Sequence, residues 1–203
     1  MSEYDHEPTR GLPEVLPEGE QIIWQGAPDW RKMAANALHL RLALVYFAVI
    51  GVLALVRGSP ETALAMLVSA AVVSAISISF AYGVGRTTVY TLTDKRIVLR
   101  IGVALNKCIN IPLSEIETAN LKPLSDGNGN IVMTLKGMPR MGYVMLWPHA
   151  RSLRLVRPQP MLRAIPDAQR VAQQLFEATS ALQPIARLEE DAAATPEMEG
   201  LPA

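Results

Sequence analysis

The 203-residue chain carries 19 lysines and arginines against 19 aspartates and glutamates, so its formal net charge is zero. No overall positive field argues for a nucleic-acid partner. The length suits one membrane element and one small domain of roughly 90 to 100 residues. The lone Cys108 excludes an internal disulfide, and no Cys or His pair has metal-ligand spacing. That combination fits a reducing, cytoplasmic setting for the soluble part.

Residues 1–20 read as an acidic tail, with Glu3, Asp5, Glu7, Glu14, Glu18 and Glu20 against Arg10. This start lacks the basic region and short apolar core of a cleaved signal peptide, so the hydrophobic segments that follow are expected to stay in the mature chain. Residues 21–37 read as a lead-in strand and interfacial segment, in which Trp24 and Trp30 suit either a membrane interface or a soluble core. Residues 38–84 hold two apolar runs. The first, 38–56, is interrupted by His39 and Arg41 and completes a span if Arg41 snorkels to the head groups. The second, 62–84, is uncharged and as a helix would be about 34 Å long, more than the roughly 30 Å hydrocarbon core. The connector 57–61 has turn chemistry, so the two helices are expected to be antiparallel neighbours in a transmembrane hairpin.

Arg31, Lys32 and Arg41 flank the first run, and Arg86, Lys95 and Arg96 follow the second, whereas the connector has Arg57 offset by Glu61. The positive-inside rule then puts both termini in the cytoplasm. Ala63, Ala70, Ser74, Ser77 and Ala81 give the second helix a face of small residues on which the first helix, or a helix of another protein, can pack closely. No ionisable residue lies in the central part of either run, so a proton relay or ion path is not expected.

Residues 85–183 change to strand periodicity. Thr, Val and Tyr dominate 87–93, Asp94-Lys95 supplies a turn, and 96–105 alternates Ile97, Leu99 and Ile101 inward against Arg96, Val98 and Arg100 outward. Further strands are expected at 108–112, 116–121, 131–136 and 142–147, with a weaker one at 153–156. Asp126-Gly127-Asn128-Gly129-Asn130 is the strongest turn signal. Pro166 and Asp167 open a helix whose Ala168, Val171, Ala172, Leu175, Phe176 and Leu182 form one apolar face. The order predicts an α+β domain: antiparallel strands in a small barrel or sandwich closed by a C-terminal helix. Residues 184–203, with Glu189, Glu190, Asp191, Glu197 and Glu199 against Arg187, read as an acidic disordered tail.

Catalysis has no positive sign. His149 follows Trp147-Pro148 in an expected loop and suits a surface or cap role; Ser114-Glu115 are turn residues. Cys108, on an expected half-buried strand, is a small inert hydrophobe. Gly127-Asn128-Gly129 lacks the following helix and the lysine of a phosphate cradle. Between Asp126 and Asp167 there is no acid, while Lys136, Arg140, Arg151, Arg154, Arg157 and Arg163 all fall there, along with Trp147. Three readings stand. The cations hold the domain against anionic lipid, at about 1 kcal/mol each; or they dock an acidic partner with Met138, Met141, Met145 and Trp147 as anchors; or they are scattered over solvated faces and the methionines are core.

The segments YTLTDKRIVLRIG, INIPLSEIETANL and DGNGNIVMTLKG resemble the bacterial pleckstrin-homology-like (PH-like) domains found beside membrane helices, and PEGEQIIWQGAPDW resembles their lead-in strand. GYVMLWPHARSLRLVRPQPMLRAIPDAQRVAQQL, with the apolar runs ahead of it, resembles the photosynthetic-complex assembly membrane proteins of purple phototrophic bacteria, encoded with the reaction-centre H subunit. The resemblance covers about residues 12–180. It implies a non-enzymatic, cofactor-free role in assembling the reaction centre and core antenna in the bacterial inner (intracytoplasmic) membrane. The implied partners are reaction-centre subunits and core antenna polypeptides, and a homodimer is admitted. The alternative is a generic membrane-anchored PH-like module that senses lipid or stress and oligomerises. With that family in view, His39 at the mouth of the first run has the chemistry to ligate a bacteriochlorophyll magnesium, but it reads as an interfacial polar residue.

Overall fold

The computed structural model describes residues 11–12, 14–103, 106–137, 142–152 and 154–194. The chain runs β1 (Ile22–Gly26), α1 (Trp30–Asn36), α2 (Leu40–Val56), α3 (Pro60–Thr87), β2 (Val89–Thr93), β3 (Arg96–Ile101) and β4 (Lys107–Pro112). A short 3-10 turn, Leu113–Glu115, leads to β5 (Ile116–Pro123), β6 (Gly129–Leu135), α4 (Tyr143–Leu146), β7 (Met161–Ile165) and α5 (Ala168–Ala194). Two antiparallel sheets result, ordered β1–β2–β3–β4 and β5–β6–β7. The expected α+β class with antiparallel strands is what forms.

One core lies between the sheets. Tyr90, Leu92, Ile97 and Leu99 of the first sheet meet Ile131, Met133, Leu162 and Ile165 of the second, and Ala168, Val171, Leu175 and Ala178 of α5 close it. Spacings of three and four put those helical residues on one stripe. Phe176, expected in that stripe, follows Leu175 around the helix and is exposed. Helix α5 continues to Ala194, into the acidic segment read as a disordered tail.

Strand β1 pairs with β2, Gly26 opposite Tyr90, so the helices between them are an insertion into a β-hairpin of the domain. The lead-in strand is therefore part of the first sheet, and Trp24 packs against the core. Expectations for two strands are corrected. Segment 142–147 is the one-turn helix α4, because its apolar run is too short to show a period. The last strand is Met161–Ile165 and not 153–156, where described residues 154–156 carry no strand and Leu153 lies outside the described residues.

Val98 and Arg100 face away from the core but are buried too. The N-terminal segment accounts for part of that cover. Leu12 is buried, Gly11 lies so close to Val89 that a Cβ there would stand 2.5 Å from its side chain, and Gln25 Nε2 donates to Thr91 Oγ1 at 2.9 Å. Glu20, read as part of a loose tail, is also buried, accepting from Arg96 Nε at 2.9 Å, Arg96 Nη2 at 3.1 Å and Thr93 Oγ1 at 2.8 Å. Removing the carboxylate takes both acceptors from the Arg96 guanidinium, while the Thr93 hydroxyl keeps the Arg96 carbonyl at 2.9 Å. E20A is expected to cost about 1–3 kcal/mol, and exposed E18A less than about 0.5 kcal/mol, by thermal unfolding in detergent; equal effects would detach this segment from the folded unit.

Candidate functional site: an apolar helical pair and the collar at its base

Helices α2 and α3 are apolar and their side chains point outward. Leu42, Val45, Val49 and Val52 on α2 and Leu64, Leu67, Val72 and Ile76 on α3 are all at least half exposed. A soluble surface does not carry a continuous apolar area of this kind unless it is a contact site. Among the described helices, α3 by itself is long and apolar enough to cross a bilayer; α1 and α2 reach that length together only as a pair bent by 50°. The break falls at His39, which is exposed, takes the left-handed conformation at φ 53° and makes no side-chain cap bond. The break thus falls at the start of the first run, the rest of which is one helix, Leu40–Val56, while α1 forms in the segment read as interfacial.

The N-terminal part of the small face of α3 meets α2. Ala63 and Ala70 share a groove with Leu44, Phe47, Gly51 and Leu55, and Gly51 lies in contact range of Met66. Ser74 Oγ is turned back onto the Ala70 carbonyl at 2.6 Å, so that hydroxyl is satisfied within its own helix.

At the domain end, α3 is ringed by aromatic and basic side chains. Trp30 stands edge-on to Tyr82 with centroids 5.9 Å apart, Arg31 lies 5.2 Å over Trp30, and Arg86 Nε donates to the Tyr82 hydroxyl at 3.1 Å. Trp147 stacks on Phe80 at 5.3 Å, and Val103 packs against Gly83. Helix α1 ties this collar to the second sheet. Asp29 caps α1 by accepting from Arg31 N at 2.8 Å and also accepts from Asn128 Nδ2 at 3.2 Å, while its own N–H donates to the Ala164 carbonyl at 2.8 Å. Lys32 pairs with Asp126 and donates to Ser125 Oγ at 2.6 Å, and that lysine holds the Asp126 carboxyl below the usual carboxylate range.

Among the described residues, the basic run does not form one surface. Lys136, Arg154 and Arg157 are exposed, and the last two flank exposed Leu155 and Val156 at a loop tip. Arg151 is half buried and closes that loop through Gln159 Oε1 at 3.0 Å, with Gln159 Nε2 donating on to Thr134 Oγ1 at 3.0 Å. Trp147 is at the collar, and Arg140, Met138 and Met141 lie outside the described residues. Arg163 is corrected outright. Only 8% exposed, it donates from Nε to the Pro148 carbonyl and from Nη2 to the Ala150 carbonyl at 2.8 Å, so it braces a loop from inside. Cys108, expected half buried, is exposed.

His149 is the second correction: it is wholly buried. Its Nδ1 lies 2.6 Å from the Tyr90 hydroxyl and its Nε2 3.3 Å from Thr88 Oγ1, and the Tyr90 oxygen also receives the Arg163 N–H at 3.3 Å. Burial raises the Tyr90 hydroxyl pKa well above its ordinary value, so Tyr90 donates to Nδ1 and the ring proton sits on Nε2, directed at Thr88. Burial, and then the nearby Arg163 charge, push the imidazole pKa down to about 3. Burial likewise lowers the Arg163 pKa from its ordinary value. This network, with its imidazole neutral, locks the 147–150 segment to β2 and so fixes where Trp147 meets α3. A tyrosine on an apolar strand and an arginine inside Met-Leu-Arg-Ala-Ile were the sequence signals, since both need polar partners once buried.

Among the described residues, no group of three His, Cys, Asp or Glu side chains could hold a metal ion. A two-sheet antiparallel domain closed by a C-terminal helix, with an apolar helical pair inserted after its first strand, has the build of a PH-like module. The sequence pattern of the bacterial PH domain family matches residues 39–179, and the chain belongs to that family. It is 38% identical over 189 residues, 88% of each chain, to a Rhodobacter capsulatus protein named "Uncharacterized 23.7 kDa protein in puhA 5'region". No solved structure matches the chain.

Proposed function

We propose that this protein is a membrane-anchored, non-enzymatic assembly factor for the photosynthetic reaction centre and its core antenna. One observation carries the anchoring: the β1–β2 connection of a PH-like domain is a pair of helices clad in exposed apolar side chains. The relative near puhA, a reaction-centre gene region, supports the process. In this reading α3 is one span, and α2 with the tilted α1 is the other, so the domain and both termini share one face of the inner membrane. Arg31 and Arg86 at the collar favour the cytoplasmic face. The domain then binds and pre-organises. Its exposed Arg154-Leu155-Val156-Arg157 tip offers two cations around two apolar side chains, a combination suited to an acidic, apolar segment of a reaction-centre or antenna subunit.

The test is a gene deletion in a phototrophic host, read by near-infrared membrane absorption and complemented with the wild-type chain or with R154E/R157E. Loss of reaction-centre and core antenna bands, restored by wild type, is the expected result. Unchanged bands in the deletion strain would end the assembly reading. Full rescue by the charge-reversed chain would remove the loop tip from it while leaving the rest.

A further inference from the structure

Three segments that are remote in sequence meet α3 at one height. Trp147 reaches Phe80, Trp30 reaches Tyr82, and Val103 reaches Gly83. Phe80 is not at the end of α3. The helix continues to Thr87, so at about 1.5 Å per residue the Trp147 contact lies roughly 10 Å below the point where the chain enters β2. Helix α4 and Val103 therefore flank the last two turns of α3 and do not sit on top of it.

That height has a physical meaning. From Pro60 to Phe80 the helix measures roughly 30 Å, the thickness of a hydrocarbon core. Trp and Tyr rings concentrate at the boundary between acyl chains and head groups, and here Trp30, Tyr82 and Trp147 ring the helix at its upper limit, with Arg31 and Arg86 beside them. Around this collar the domain also exposes apolar side chains: Val144 is 88% exposed, Met145 43% and Val103 45%. None of these covers the core between the sheets.

We infer that α4, together with Val103, is an apolar foot seated in the boundary layer of the bilayer, so that the domain rests on the lipid surface and does not stand off on α3 as on a stalk. This rests on the reading of α3 as a membrane span. The occupant is lipid because the foot continues the exposed apolar surface of α3 at the level of its aromatic collar. Buried His149 and Arg163 hold the foot at that level from within the domain.

The test uses the full chain in phosphatidylcholine–phosphatidylglycerol vesicles, with Cys108 replaced by serine and an environment-sensitive fluorophore on V144C, V72C or N120C. Quenchers are aqueous iodide and lipids spin-labelled near the head group or deep in the acyl chain. The probe at position 144 is expected to be quenched severalfold more by the shallow label than by the deep one, the probe at 72 more by the deep one, and the probe at 120 only by iodide. If position 144 responds to iodide as position 120 does, while 72 still responds to the deep label, the foot is wrong and the span stands. Shielding of 144 from both iodide and lipid labels means protein covers it, which also overturns the foot. If 72 ignores every lipid label, the span reading fails and the foot falls with it.

Discussion

H149A is expected to be severely destabilising for the PH-like domain, lowering stability by about 3–5 kcal/mol. Truncating a buried ring costs that much through the cavity alone, and the change also leaves the Tyr90 hydroxyl without its acceptor and Thr88 without its donor in a site closed to water. The pH dependence identifies the ring itself. In the folded chain the imidazole stays neutral down to about pH 3, whereas an unfolded histidine titrates near 6.5. Between those values the unfolded state binds the extra proton, so the contribution is complete above about pH 6.5 and falls as pH drops toward 3. By pH 5 the loss is about 2 kcal/mol. Chemical unfolding of wild type and of H149A or H149Q, from pH 7 to pH 4.5, should show a steep acid decline only in the wild type. Parallel declines would mean that His149 is not held neutral by this network.

The second large effect concerns α3, where the environment decides the sign. Val68 and Val72 are both more than half exposed. If water surrounded them, arginine at either site would change stability by no more than about 0.5 kcal/mol. At the centre of a bilayer span each valine-to-arginine change costs about 3–4 kcal/mol of insertion free energy, since a favourable apolar residue is replaced by a charge. V68R/V72R is therefore expected to be lost from carbonate-washed membranes, while T118R/N120R, on exposed positions of β5, stays with them. Retention of the V68R/V72R chain as an integral protein would refute the span.

Much of the fold was legible because it is written in local pattern. The turn at Asp126-Gly127, the β-branched runs of β2 and β3, and the stripe Ala168, Val171, Leu175 each announce their element within a dozen residues. The uncharged run of α3 is equally plain. What was not legible depends on partners far away in the chain. Glu20 looks like one more acid of a tail until Arg96 is brought beside it by the sheet. Arg163 looks like one more cation of a basic run until the loop at Pro148 and Ala150 wraps it, and His149 looks like a loop residue until Tyr90 lies over it. The Tyr-Val-Met-Leu of α4 is too short for its period to separate one helical turn from a strand. The candidate site divides in the same way: its apolar helices were readable, whereas the collar needed three separate segments to converge on α3.

The placement of the helices between two paired strands also dictates an order of events during synthesis. Strand β1 leaves the ribosome before α2 and α3, and its partner β2 only after them, yet the two must lie side by side with Gly26 opposite Tyr90. The first sheet thus cannot be completed until both helices have been made and turned back on themselves. Ile22 and Ile23, still partly exposed in the finished sheet, wait meanwhile as an unpaired strand next to the nascent helices, a state in which unpaired edges are prone to aggregate. Closure of β1 onto β2 thereby makes the folded domain a record that the helical pair has already formed.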